Sequence, residues 1–353
     1  VPCSAASELA GRSRVPGGRI QVMQTLGWAA LFFASAVVVV RSGLSLSKAG
    51  DLLAEATGIG RLWVGTILLA LATSLPELVT NLAAVRLDAP DLAGGNILGA
   101  NMLNIVVLVA LVSLFPRVLI SPMERDQIWL VVTALILTGA VPVLVAFGER
   151  GNLGPVSLGT AFILGGYLIG MAVVYRTRSH QPAPAPTSAD QDPKEAPPTA
   201  RGAWARFGLA AAGVLIAAPA LAVSADQLAT ILGISGSFMG VLAVALVTTM
   251  PELSVTWGAL RLGSETMALG NVYGSCAFNV LILGIADLMY PKPIFWALDQ
   301  SHIAAGVGAC LLMGLGPAFL ALRTRGKLAL SQALAVVMTV GWAGLMYLVL
   351  TLA

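Results

Sequence analysis

Ten stretches of the chain stay apolar for long enough to cross a bilayer, and polar residues fall mainly between them. A span needs about 20 such residues, and the runs lie at residues 25–42, 61–86, 92–115, 127–147, 155–175, 206–224, 238–261, 266–289, 301–322 and 328–352. Each run predicts a transmembrane helix. The segment ahead of the first, residues 1–24, is a polar tail carrying Arg12, Arg14 and Arg19. The run that follows continues into Arg41 and Lys48 without a persuasive cleavage site, which favours a first helix over a removed signal peptide. Between the fifth and sixth runs, residues 176–205 are rich in Pro, Ala and charge, a composition that buries no core and predicts a flexible linker. The expected fold is an all-α polytopic membrane protein with five helices in residues 25–175 and five in residues 206–353.

A second pattern lies inside the first. Residues 65–105 read GTILLALATSLPELVTNLAAVRLDAPDLAGGNILGANMLNI, and residues 240–280 read GVLAVALVTTMPELSVTWGALRLGSETMALGNVYGSCAFNV. The two align without a gap at an offset of 175 residues, and 15 of 41 positions are identical. The identities include the Thr, Pro, Glu, Gly and Asn of both copies, which shared hydrophobicity does not explain. Five spans per half is an odd number, so the second repeat is inserted upside down relative to the first. Carriers that work by alternating access are built from such inverted repeats, with the site near the midplane between them.

Composition agrees with the span count. Hydrophobic residues make up 57% of the 353 and charged residues 10%, where a soluble domain has roughly a quarter charged. Ten spans put both termini on one side. The Lys and Arg residues then divide fourteen to six in favour of the other side, which places that face and the linker in the cytoplasm and both termini outside. Cys3, Cys276 and Cys310 form no CxxC pair, and the two histidines, His180 and His302, lie in the linker and near a helix start. No HExxH, paired Asp or Ser-His arrangement occurs in the spans, so an enzyme is not expected.

The candidate chemistry sits in the repeats. Pro76 and Pro251 lie within helices, where proline removes a backbone hydrogen bond and breaks the helix, freeing carbonyls about one turn earlier. Glu77 and Glu252 follow directly, near the middle of apolar spans, where a carboxylate costs at least about 2.5 kcal/mol. Neither has a basic residue nearby in its own helix, so a cation from solution is the natural counter-charge. Thr73 and Thr248 lie four residues before the glutamates, Ser74 and Thr249 three before, on the same helix face. Asn104 and Asn279 close the second element of each repeat and offer amide oxygens. Two carboxylates with neutral oxygens suit a hard cation such as Ca²⁺, which takes about 6 to 8 oxygen ligands. Gly95, Gly99, Gly270 and Gly274 allow close helix packing. Asn96 and Asn271 are either ligands or interhelical hydrogen bonders, the second being favoured. The expected partners are lipid and inorganic cations, with no nucleic acid and no cofactor beyond the transported ions.

These motifs, Thr-Ser-Leu-Pro-Glu-Leu with Gly-Asn-Ile-Leu-Gly-Ala-Asn-Met-Leu-Asn and Thr-Thr-Met-Pro-Glu-Leu with Gly-Asn-Val-Tyr-Gly-Ser-Cys-Ala-Phe-Asn, resemble the paired repeats of the Ca²⁺/cation antiporter superfamily, most of all its prokaryotic sodium/calcium exchanger branch. The resemblance implies exchange of cytoplasmic Ca²⁺ for external Na⁺ across a cell membrane, expected to be a bacterial inner membrane. It implies Glu77 and Glu252 as central Ca²⁺ ligands, with carbonyls of Thr73 and Thr248 and the side-chain oxygen of Asn104. The chain departs from the family at two places. Ala100 stands where those exchangers often carry Ser, although the second repeat keeps Ser275, and Asn279 stands where they often carry Asp. Both changes bear on the Na⁺ sites. The Gly-Asn-Ala-x-Glu-His motif of the proton-coupled branch occurs in neither repeat, so Na⁺ is the expected counter-ion, with Ca²⁺/H⁺ or other cation/proton antiport as the alternative and a cation channel behind it.

Overall fold

The computed structural model describes residues 17–114, 121–148, 152–153, 156–178, 199–233 and 246–352. Its helices are α1 (Gly17–Thr57), α2 (Arg61–Arg86), α3 (Pro90–Leu114), α4 (Arg125–Phe147), α5 (Leu158–Arg176), α6 (Ala200–Ile231), α7 (Met250–Arg261), α8 (Glu265–Met289), α9 (Ser301–Thr324) and α10 (Leu328–Leu352). Among the described residues nine helices are long and apolar enough to cross a membrane. α7 is the tenth element, and the first part of its predicted span, residues 238–245, lies outside the described residues. So do residues 1–16 of the expected tail and residues 179–198 of the expected linker.

Two helices run well past their apolar runs. α1 begins at Gly17, inside the segment read as tail, and continues through Arg41, Lys48 and Asp51 to Thr57. At 1.5 Å per residue its 41 residues span roughly 60 Å, about twice the hydrocarbon thickness. The charges end the apolar run without ending the helix, because Arg41 and Lys48 are exposed and neither is a helix breaker. The stop comes at Gly58 and Gly60, with φ of 68° and 96°, a conformation that glycine adopts without steric cost. Arg61 then pairs with Asp51 across the turn. α6 likewise begins at Ala200, where Thr199 caps it by accepting from the Gly202 N–H at 3.3 Å.

The 175-residue offset governs the described structure as well as the motifs. Pro90–Leu114 and Glu265–Met289 match end to end at that offset, and Pro142 and Pro317 hold equivalent positions inside α4 and α9. Among the described residues, members of a repeat pair meet where Cys276 Sγ lies 3.8 Å from the Asn101 carbonyl oxygen and where Cys310 Sγ lies 4.0 Å from that of Leu135. Only residues near a twofold axis meet their mates, so the axis passes between α3 and α8 and between α4 and α9.

α3 and α8 form the centre: 72% of the positions across each apolar stretch are buried, against 22% in α1 and in α10. α8 packs on α2, α3, α4, α5 and α7. α1 lies along α6 and α7, where Ser47 Oγ donates to the Val255 carbonyl at 2.7 Å. At the end of α8 the buried Asp287 accepts from Ser157 Oγ at 2.9 Å, from Thr160 Oγ1 and from the Ile294 N–H. That carboxylate is satisfied by protein donors and ties α8 to α5.

Candidate functional site

The repeated Pro-Glu motif sits differently in its two helices, inside a continuous α-helical stretch in α2 and just after a turn in the second repeat. In α2, Val64–Leu69 wind as a π-helix, with the Ala70 N–H reaching back to the Gly65 carbonyl, and Pro76 lies within the α-helical stretch Ala70–Arg86. Having no N–H, Pro76 leaves the Ala72 carbonyl without its helical donor. In the second repeat, residues 246–248 are helical, Thr249 turns, and the helix restarts at Met250 with Pro251 in its first turn. Proline suits that position, because the N–H it lacks would have no helical partner there.

Glycines bring the central helix onto the π segment. A Cβ on Gly270 would meet the Leu62 carbonyl oxygen at 2.6 Å, and one on Gly274 would meet that of Thr66 at 2.6 Å. In the first repeat a Cβ on Gly95 would come no closer than 3.8 Å to His302 Nε2, and Gly99 has nothing within 4 Å among the described residues. The repeat mate of the π segment, residues 239–244, lies outside the described residues.

This packing carries the candidate ligands inside. Glu77 and Glu252 are 6% and 2% exposed, and each of Thr73, Ser74, Asn104, Thr249, Ser275 and Asn279 is buried. Thr248 is half-buried just before the Thr249 turn. Thr73 Oγ1 lies 3.4 Å from Ser275 Oγ, joining α2 of one repeat to α8 of the other. Among the described residues the ion pairs are Arg61–Asp51 and His302–Asp91, so neither glutamate has a basic partner.

The unpartnered atoms define the chemistry. Among the described residues, Glu77 Oε2, both carboxylate oxygens of Glu252, Oδ1 of Asn104 and of Asn279, and Oγ of Ser74 are buried without a hydrogen-bond partner. Buried polar groups are nearly always paired, as Asp287 is. Five of these six oxygens belong to carboxylates or amides and can only accept, which a hard cation satisfies and a hydrogen-bonded core does not. No group of three His, Cys, Asp or Glu side chains assembles among the described residues, so the donor set is two carboxylates and neutral oxygens. His302 lies apart, within 3.0 Å of the Asp299 carbonyl and 3.1 Å of the Asp91 carbonyl.

The amides beside the site divide the work. Asn271 Nδ2 donates to Thr256 Oγ1 at 3.1 Å and lies 3.5 Å from the Glu252 carbonyl, an interhelical role, while its Oδ1 has no partner. Asn81, one turn after Glu77, donates to the Glu77 carbonyl at 2.8 Å. Asn101 was not among the sequence candidates. It is fully buried and joins α3 to α4 and α8 through Thr138, Cys276 and Asn279. Its repeat mate is Cys276, so a search for identities between repeats passes over it; its place one turn before Asn104 is the signal that points to it.

Two inverted helical repeats that enclose buried, unpartnered acceptor oxygens at their interface fit a membrane carrier of the exchanger class. The sequence pattern described as sodium/calcium exchanger protein matches residues 27–176 and again 202–351, and the chain belongs to that family. It is 28% identical to inner membrane protein YrbG of Escherichia coli over 279 residues, 77% of this chain and 84% of that protein. It is 26% identical to sodium/calcium exchanger MaX1 of Methanosarcina acetivorans over 288 residues, 73% and 82% of the two chains. The solved structure of the sodium-calcium exchanger NCX_Mj shares the fold at a TM-score of 0.66 and 20% identity, covering 89% of this chain and 98% of that one.

Proposed function

We propose that this exchanger moves Ca²⁺ against Na⁺ by alternating access, with the ions bound in turn between Glu77 and Glu252. The observation that carries the reading is the set of buried acceptor oxygens without partners, drawn from both repeats around two carboxylates that lack a basic counter-charge. A site shared by inverted halves is exposed to one side or the other as the halves rock. The ligand set we assign is Glu77, Glu252, Thr73, Thr248, Asn104 and Asn279, with Ser74, Thr249 and Ser275 alongside. The names of MaX1 and NCX_Mj, both sodium/calcium exchangers, support Na⁺ as counter-ion.

The two halves, residues 25–175 and 206–353, are proposed to be joined by a cytoplasmic linker at 176–205, with both termini outside. The name of the E. coli relative supports a bacterial inner membrane. Ca²⁺/H⁺ exchange is the second reading, favoured by Ala100 and Asn279, which remove a hydroxyl and a charge from positions that bear on Na⁺.

Proteoliposomes separate these readings. Ca²⁺ flux that requires Na⁺ on the opposite side and is unaffected by a proton gradient is the expected result. Flux driven by a proton gradient alone supports the second reading, and flux that needs no trans ion replaces the carrier with a channel.

A further inference from the structure

We infer that Asn101, which is not a ligand, is the residue that makes Asn279 an oxygen ligand; the inference rests on the proposed cation site. An asparagine amide presents an oxygen on one side and an NH₂ on the other, and the two are nearly isosteric. Only the oxygen attracts a cation. The hydrogen bonds around Asn101 decide which side of Asn279 faces the site.

The deciding group is the Cys276 carbonyl, which lies 3.1 Å from one terminal atom of the Asn101 amide. A carbonyl accepts and never donates, so that atom is Nδ2, which also lies 3.2 Å from Thr138 Oγ1. The other terminal atom of Asn101 is therefore Oδ1, an acceptor. It lies 3.0 Å from the Asn279 amide, which must meet it with Nδ2. Asn279 Oδ1 is thereby turned the other way, where it is buried and has no protein partner. Asn101, Thr138 and Asn279 are 0%, 0% and 1% exposed, so water does not compete for these bonds.

The repeat-related position of Asn101 is Cys276, whose thiol meets the Asn104 side chain where Asn101 offers Asn279 an amide oxygen. Asn101 also discriminates against a carboxylate at position 279. Both oxygens of an aspartate are acceptors, and one would face Asn101 Oδ1, which cannot turn away without setting its NH₂ aside from the Cys276 carbonyl. The pair is thus a positioning unit that holds a neutral oxygen at this corner of the site.

The test is a reversal of sign. Apparent Ca²⁺ affinity is read from Ca²⁺-dependent thermal unfolding of the purified protein and, in parallel, from the KM of Ca²⁺ uptake into proteoliposomes. Asn101→Leu should weaken Ca²⁺ about tenfold in the wild-type background, the order seen when a group orienting a metal ligand is removed. In the Asn279→Asp background the same change relieves the clash of acceptors, so affinity should be unchanged or improved. Weakening by the same factor in both backgrounds assigns Asn101 to packing and overturns the inference, as does undiminished affinity in Asn101→Leu alone. If Asn101→Leu does not fold, Asn101→Ser carries the comparison. A wild-type protein that shows no Ca²⁺ effect in either assay sinks the proposed function and the inference with it, an outcome distinct from failure of the variants alone.

Discussion

At the scale of single residues, two kinds of buried carboxylate can be told apart by their partners. Asp287 is 7% exposed and meets three donors, whereas Glu252 is 2% exposed and its two oxygens meet none. The first holds the fold, and the second suits a mobile counter-charge. Asp287→Asn converts an acceptor oxygen facing those donors into an NH₂, which should destabilise the protein by about 1–3 kcal/mol. The apparent Ca²⁺ affinity of the folded fraction should stay unchanged; thermal unfolding with and without Ca²⁺ measures both. Glu77→Gln and Glu252→Gln should do the reverse. Each removes one of two charges from a poorly hydrated site, where the loss is worth about 3 kcal/mol or more, roughly 100-fold in affinity. Either variant should stay folded in the membrane and lose Ca²⁺ uptake. Near-normal uptake by both would remove the glutamates from the site.

At the scale of elements, α8 meets the π segment of α2 backbone to backbone. Gly270 and Gly274 lie against backbone atoms of Leu62 and Thr66, so a side chain there must move a helix and cannot be absorbed by a neighbouring rotamer. Gly274→Leu is expected to cost at least about 1–3 kcal/mol, the range for overpacking, and to displace Ser275 from Thr73. A fall in the unfolding temperature together with loss of Ca²⁺ stabilisation is the expected signature. Gly314 in α9 has nothing within 4 Å, so Gly314→Ala should leave Ca²⁺ stabilisation unaltered and, alanine being the better helix former, should not lower the unfolding temperature, and it serves as the control.

At the scale of the whole molecule, orientation and charge balance each lead to a direct test. The proposed orientation, which rests on the Lys and Arg bias, has residues 176–205 in the cytoplasm. A cysteine at Ala189, with Cys3, Cys276 and Cys310 replaced, should resist an impermeant thiol reagent applied to intact cells and react once the membrane is opened. Rapid labelling from outside would reverse the assignment. The proposed site contributes two formal charges, from Glu77 and Glu252, and Asn279 adds none. One Ca²⁺, two Na⁺ or two H⁺ each neutralise it, while a third Na⁺ would add an uncompensated charge at a cost of a few kcal/mol. Exchange is therefore expected to be close to electroneutral. With the potential set by K⁺ and valinomycin, Na⁺-driven Ca²⁺ efflux should respond little. Marked acceleration by an inside-negative potential is the signature of three Na⁺ per Ca²⁺ and would defeat the charge count.

Much of this was legible along the chain, because hydrophobic length and the repeated motif are one-dimensional properties. The runs of apolar residues mark the membrane helices, and the 175-residue offset of Thr, Pro, Glu, Gly and Asn marks the inverted halves. Helix ends were less legible: α1 runs to Thr57 because exposed charges stop an apolar run but do not stop a helix. The different courses of α2 and α7 at the same motif were not legible either, since equal residues fold against unequal neighbours. What the sequence by itself determined was the kind of atoms available, two carboxylates and a set of neutral oxygens in an apolar chain. Only the tertiary structure decided which of those atoms remain without protein partners and which way each amide is turned. Asn101 and Asn279 are 178 residues apart, and the carbonyl that orients both belongs to a third residue. Hydrogen-bond direction is a property of the assembled neighbours, which no single stretch of sequence contains.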